Sequence, residues 1–477
     1  MSESDRIAAA SHADSQLLAP VPSTVIDEED RLRPEFVSQV LDAVDMGDDE
    51  AARALVEPLH PADIADLIEL AARDEREGLV KALAGIVGPD VLAEMNDYVR
   101  EGLLDDMEPQ QLADIAGQLE TDDAVALIED LDKDEQQAVL RAMEPDDRAA
   151  VEEALGYPEE SAGRLMQRDV CSVPEHWKVG KVIDYLRSEP DLPTDFWEVF
   201  VVNPAHHPVG TCKLSTILRT PRDRAVTDIM SREQTLIPVD MDQEDVANRF
   251  QKYALVSAAV IDAAGRLVGM ITVDDVVHII SEEASEDVLL LSGVGDEGDI
   301  NEPVMDSYRS RVRWLVANLL TALVGASIIR HFEGQIERFA LLAVLMPIVA
   351  GVGGNAGTQT LAVTVRAIAT NQLTGSNRWR AVGREIRVAM LNGFTIAILI
   401  GAGVALVLGS RDLGLLIGVA MLINIIVAGF AGVLMPLALE RAGADPAVAS
   451  SVFVTMVTDS MGFFAVLGLA SATGIVR

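Results

Sequence analysis

The chain has 477 residues, 49% of them hydrophobic, and a formal net charge of −39 at neutral pH. That length has room for about three domains, and so acidic a balance excludes the basic patch expected of a nucleic-acid-binding surface. The charge is unevenly spread: from Asp306 onward there are 13 Arg, no Lys and 8 acids, a balance of +5, which leaves −44 for the first 305 residues. An acidic portion suited to water therefore precedes an apolar portion flanked by arginine.

The N-terminal MSESDRIAAASHADS lacks the basic start and apolar run of a secretion signal, and residues 1–33 read as a disordered tail. Over 34–160 the pattern is short amphipathic helices with a recurring phrase: HPADIADLIELA from His60, EPQQLADIAGQL from Glu108 and EPDDRAAVEEAL from Glu144. Proline at the first helical position followed by acids suits a helix N-terminus, through its fixed φ and the macrodipole. Recurring units with similar faces predict a stacked helical array, with an ordinary bundle as the alternative.

From 161 to 280 the texture changes to alternating strands and helices, written twice. The second copy (225–280) runs DIMSREQTLIPVDM, a helix Gln243 to Tyr253, strand VSAAVID, a turn Ala263 to Arg266, strand LVGMITV and a closing helix. The first copy (161–224) parallels it with LMQRDVCSVPEH, FWEVFVVN, a turn Pro204 to Pro208 and VGTCKLS. This β-α-β-β-α order resembles a tandem pair of CBS domains. PAHHP replaces the usual Asp/Gly turn in the first copy, so nucleotide binding there is open, and adjacent His206 and His207 suit an exposed turn rather than a chelate. Cys171 and Cys212 are too few for a disulfide framework and far from metal-ligand spacing, which suits a reducing compartment.

Residues 281–311 form an acidic connector expected to include a helix. Glu282, Glu283, Glu286 and Asp287 contain two pairs spaced four apart, whose like charges repel by a few tenths of a kcal/mol each. A bound divalent cation relieves such repulsion, and Asp274 and Asp275 upstream extend the cluster; a solvated acidic linker is the alternative.

The remainder (312–477) reads as five membrane spans, about Trp314 to Ile329, Phe339 to Ala369, Val388 to Leu408, Leu413 to Leu439 and Pro446 to Ile475. With the acidic portion in the cytoplasm, five spans place the C-terminus outside. Arginine placement agrees, since Arg309, Arg311 and Arg313 precede the first span and Arg378, Arg380, Arg384 and Arg387 follow the second. The second span is interrupted by PIVAGVGGNAGTQTLAVTVRAIAT, whose glycines permit close helix approach and whose Asn355, Thr358, Gln359 and Thr360 add neutral oxygens. Asn424 in the fourth span suits either pore lining or an interhelical hydrogen bond.

Asp459 lies near the middle of the fifth span. A bare carboxylate there costs several kcal/mol, so it either faces a water-filled path and meets a cation or pairs with an arginine on a neighbouring helix. Soft ligands are missing from this half, which has no Cys and only His331, and that disfavours Zn2+ or Cu+. Mg2+ keeps its water and is held through one or two carboxylates, so one acid per subunit suffices. Mn2+ and Co2+ remain open.

With these residues in view the chain resembles the MgtE family of magnesium transporters over nearly its whole length. The resemblance is carried by YPEESAGRLM, the tandem CBS pair, EEASEDVLLLSGV, VRWL, PIVAGVGGNAGTQT and TDSMGFF. It implies a multidomain membrane protein: an all-α helical-repeat N-terminal domain, an α/β tandem CBS pair and an α-helical transmembrane domain of five spans. It also implies a homodimer, joined through the membrane and CBS domains, with a central pore in the cell's inner membrane that cytoplasmic Mg2+ closes. Asp459 matches the family's pore aspartate, with Ser451, Thr455, Asn424 and Asn355 as further pore candidates. Glu283, Glu286 and Asp287 match acids of the connecting helix, and Asp275 an acid of the second CBS copy, together the expected cytoplasmic sensor. At Ser451-Val452 the family commonly has a residue followed by proline, so the site geometry here differs. ATP is a candidate ligand of the CBS pair.

Two further readings stand beside Mg2+ transport: a membrane-anchored CBS sensor of an adenine nucleotide, and a proton-coupled carrier using Asp459. An anchor needs neither a mid-span Asp nor a polar Gly-rich span. No nucleophile–base pair, P-loop or catalytic metal spacing supports an enzyme.

Overall fold

A computed structural model describes residues 25–29, 31–104, 107–129, 131–189, 192–193, 196–294, 298–373, 376–448 and 450–474. It divides into two compact units, 1–276 and 277–477, at a point inside one long helix, Val273–Ser292. Of the expected disordered tail, 1–24 and 30 fall outside the described residues. Within the described part of that segment, Ile26 bridges Leu32, the Arg33 Nε donates to the Ile26 carbonyl at 3.1 Å, and Leu32 is buried in the first helical core. A buried leucine between two chain-closing bonds compensates the ordering entropy that composition alone suggests would win.

The first unit begins with short helices at the recurring phrases, namely Pro61–Leu70, Pro109–Ala116 and Pro145–Ala154, each with proline in the first turn. Their buried faces build two successive cores, one from Leu32 to Val99 and one from Leu104 to Ala154, and Ile115 packs against both. YPEESAGRLM joins this array to the CBS pair. The Arg164 Nε donates to the Tyr157 carbonyl at 3.0 Å and its guanidinium pairs with Glu129 at 2.6 Å, while the Ala162 amide donates to Met241 O at 2.7 Å.

Each CBS copy is a three-stranded sheet of one design. β1 (Ser172–Pro174) pairs parallel with β2 (Glu198–Val202), which pairs antiparallel with β3 (Pro208–Lys213). β4 (Leu236–Pro238), β5 (Ser257–Ile261) and β6 (Leu267–Thr272) repeat this order, each copy with an irregularity before its turn. The Val-Gly steps have a physical cause. A Cβ at Gly269 would stand 2.7 Å from Gln167 O, and one at Gly210 would stand 2.6 Å from Ser231 O, so the lead-in of each copy crosses the last strand of the other. In the first turn His206 adopts φ +63° where Gly265 adopts +78° in the second, and Asn203 and Asp262 close the two turns through equivalent amide bonds.

The second unit holds five helices long and apolar enough to cross a membrane: Val304–His331, Leu341–Ala369, Arg378–Val407, Arg411–Ala442 and Ser450–Thr473. The second span is one continuous helix rather than an interrupted one. Pro347 lies in its first two turns, and Gly353, Gly354 and Gly357 pack against side chains of the fourth and fifth spans, so tertiary contact outweighs their poor helix propensity. In its most apolar stretch the fourth span is 61% buried within the protomer, the first only 6%, which makes the fourth the centre of the bundle and leaves the first to lipid or a partner. The connector forms the end of the helix Val273–Ser292, which stops at Gly293 with φ +70°; a second helix then starts at Val304 and runs on as the first span.

Candidate ion-binding sites

In the fifth span Ser451, Thr455 and Asp459 are spaced by four and share one face. The protomer leaves this face open: Thr455 is exposed and Asp459 partly so, while Val454, Thr458 and Gly462 on the other side are buried. Asp459 has no hydrogen-bond or ion-pair partner among the described residues, so no neighbouring arginine neutralises it there. In the second span Gly351, Asn355, Thr358 and Gln359 form an exposed polar strip. The two helices meet through small residues, since a Cβ at Gly357 would come within 2.6 Å of Val454 Cγ1 and one at Gly354 within 3.8 Å of Thr458 Oγ1. Asn355 and Asp459 thus belong to open faces on two helices joined by a tight seam.

Asn424 is placed elsewhere. It is fully buried, its Nδ2 donates to the Val349 carbonyl at 2.9 Å, and its Oδ1 has no partner among the described residues. A Cβ at Gly353 would overlap that Nδ2, and one at Gly462 would lie 3.0 Å from it. Glycines on the second and fifth spans therefore make room for an amide that ties three helices together, away from the open face of Asp459.

Of the expected cytoplasmic acids, Asp275 lies in the first unit and Glu283, Glu286 and Asp287 in the second. Among the described residues no three His, Cys, Asp or Glu groups converge as a metal site. Two pairings that sequence reasoning missed appear instead. Near Asp275 stand Asp122 and Asp123, in the first turn of the helix Thr121–Glu129. Burial, together with Asp274 and Asp123, pushes Asp275 up to about 6, even though the Thr272 hydroxyl donates to its Oδ2 at 2.7 Å. Burial, then Asp275, raises Asp122 well above the ordinary carboxylate range, and its enclosed Oδ1 has no partner among the described residues. The available signal was the TDD at 121–123, an acidic helix start resembling the others in the array.

The second pairing lies in the other unit. Burial raises Asp287, and Asp445, in the loop before the fifth span, raises it further. One turn on, Leu290 packs with Leu361 and Val365 of the second span and Val454 of the fifth. The connector's end is thereby held against the two helices that carry the open polar faces.

Comparisons with known proteins agree with this architecture. Residues 346–469 match the family described as "Divalent cation transporter", residues 59–160 the "MgtE intracellular N domain", and residues 226–282 the "CBS domain". The chain is 32% identical over 317 residues to the magnesium transporter MgtE of Enterococcus faecalis, covering 66% of this chain and 70% of that protein. It is 34% identical over 322 residues to the magnesium transporter MgtE of Thermus thermophilus, with the same two coverages. Among solved structures, the cytosolic domain of the Mg2+ channel MgtE in complex with ATP aligns at 28% identity and TM-score 0.47, covering 51% of this chain and 99% of that one. By the identity and extent of these matches, which span the helical array, the second CBS copy and the helix bundle, the chain belongs to the MgtE family.

Proposed function

We propose that the protein transports Mg2+ across the inner membrane into the cytoplasm, as a homodimer in which the open faces of the second and fifth spans line the ion path. One observation carries this: Asp459, a mid-span carboxylate without a protein partner among the described residues, shares an open face with Ser451 and Thr455. An intramembrane acid left in this way needs water and a cation. A two-fold assembly would present two copies of Asp459 to one hydrated ion, and Asn355 and the Thr455 hydroxyl would hydrogen-bond its water shell. The names of the related proteins support Mg2+ as the ion.

Closure by cytoplasmic Mg2+ is the second part of the proposal. Asp122 with Asp275, both half-buried, and half-buried Asp287 with the exposed Asp445 are acid pairs whose like charges repel when packed. A divalent cation binding the packed arrangement more tightly than the separated one shifts the population toward packing. Because Leu290 rests on the second and fifth spans, packing at Asp287 bears on the path directly. Glu283 and Glu286 supply further acids on the same helix, and the CBS pair is assigned ATP as a modulating ligand. The N-terminal domains are cytoplasmic and the C-terminus external.

The test is growth of cells lacking their own Mg2+ uptake systems, with expression and membrane insertion checked. Wild type should restore growth at low Mg2+ and Asp459→Asn should not. Equal rescue by both would remove Asp459 from the path, and rescue abolished by dissipating the proton gradient alone would favour a proton-coupled carrier.

A further inference from the structure

At the end of the membrane bundle where the third span begins and the fourth ends, a notch of about 230 Å³ is lined by Arg378, Trp379, Val382, Leu434, Leu437 and Arg441. Its charge is lopsided. Both carboxylate oxygens of Glu440 lie 2.7 Å from a single nitrogen, Arg378 Nη2, while the Arg378 Nε is shut off from solvent with no partner among the described residues. Arg441 is exposed and has no acidic partner among the described residues. Two guanidinium groups are thus set against one carboxylate. The rest of the wall is apolar, and Trp379 is 72% exposed, a placement typical of a ring at the membrane–water boundary.

We propose that this notch binds the phosphate headgroup of an anionic phospholipid from the leaflet it faces. The complementarity is twofold. The exposed Arg441 offers donors to a phosphodiester, with the Arg378 guanidinium adding positive charge to the same wall, and the exposed Trp379 and Leu434 carry the apolar lining out to the surface along which acyl chains lie. Size points the same way: pockets for whole small molecules span roughly 300–1,000 Å³, so this one admits a headgroup and leaves the tails outside. Basic pockets between spans are a recurring form of lipid recognition. The site is independent of the transport reading and stands or falls by lipid binding alone.

The experiment follows the unfolding midpoint of the purified full-length protein in mild detergent during titration with dioleoylphosphatidylglycerol, dioleoylphosphatidylcholine or inorganic phosphate. Phosphatidylglycerol should raise the midpoint more than phosphatidylcholine, and phosphate should leave it unmoved. Arg441→Gln, at an exposed position where folding is safe, should raise the half-saturating phosphatidylglycerol concentration about fivefold, and Arg411→Gln at the opposite end of the fourth span should not. The proposal is overturned if Arg441→Gln titrates like wild type, if Arg411→Gln has the same effect, or if phosphate reproduces the shift, since the site would then take a free anion. It is also overturned if Arg441→Gln lowers particle mass by mass photometry without altering the lipid response, because a second copy would then occupy the notch.

Discussion

The backbone of Gly357 lies so close to Val454 that a Cβ added there would stand 2.6 Å from the valine Cγ1. This contact joins the second and fifth spans directly between their two open polar faces. Gly357→Leu cannot be accommodated without parting the helices, at a cost of about 1–3 kcal/mol or more for overpacking. The expected outcome is a lower unfolding midpoint in detergent and loss of Mg2+ flux, whereas Gly351→Ala, with open space around it, should leave the unfolding midpoint nearly unchanged.

Asn424 tests the division between path and scaffold. Because its amide donates to Val349 O inside the bundle, Asn424→Ala should destabilise by about 0.6–2 kcal/mol, read as a lower unfolding midpoint. Ion preference among Mg2+, Mn2+ and Co2+ should stay as in wild type. Thr455→Val, on the open face, should show the opposite pattern: unchanged stability and altered ion preference.

Asp275 and Asp122 set a pH dependence whose sign is determined. Both carboxyls protonate more readily in the folded chain than in the unfolded one, and Asp275 titrates near 6 when folded. Between about pH 4 and 6 the folded state therefore holds protons the unfolded state has released, so in metal-free buffer stability falls as pH rises through that window. For Asp275 the burden is absent below about pH 4 and complete above about 6, and Asp122, raised well above the ordinary range, acts in the same direction. Asp275→Asn should raise the unfolding midpoint at pH 7 in EDTA, by on the order of 2 kcal/mol, flatten the pH slope and shrink the gain from added Mg2+. A variant less stable at pH 7 with the slope intact would show that Asp275 does not carry the effect.

How far the chain announced this structure varies by element. Proline-initiated helices, the duplicated sheet order and the five spans follow from local pattern, and the helix starts at Pro61, Pro109 and Pro145 coincide with the structure. The continuous second span did not, because its glycines are held helical by Asn424, Val454 and Thr458, which are distant in sequence. Asp459 was legible as a mid-span acid, and Ser451 and Thr455 as pore candidates through the family resemblance. Asp122 and Asp445 were not, since each gains meaning only from an acid more than 150 residues away, Asp275 or Asp287 respectively.

Asp445 should matter for closure rather than conduction. Removing its charge relieves Asp287 and removes one of the two acids assigned to a cytoplasmic cation, so Asp445→Asn should raise the Mg2+ concentration for half-closure several-fold while leaving maximal flux intact. Patch recordings with the bath Mg2+ varied on the cytoplasmic side measure both quantities.

The most direct measurement is Mg2+ flux into proteoliposomes containing the purified wild type or Asp459→Asn, with a fluorescent Mg2+ indicator inside and matched unfolding midpoints confirming that both are folded. Wild type should carry Mg2+ at a rate that falls as Mg2+ rises on the side bearing the helical and CBS domains, and Asp459→Asn should lose Mg2+-selective flux. A folded Asp459→Asn protein that conducts Mg2+ like the wild type would contradict the placement of the ion path along the Asp459 face.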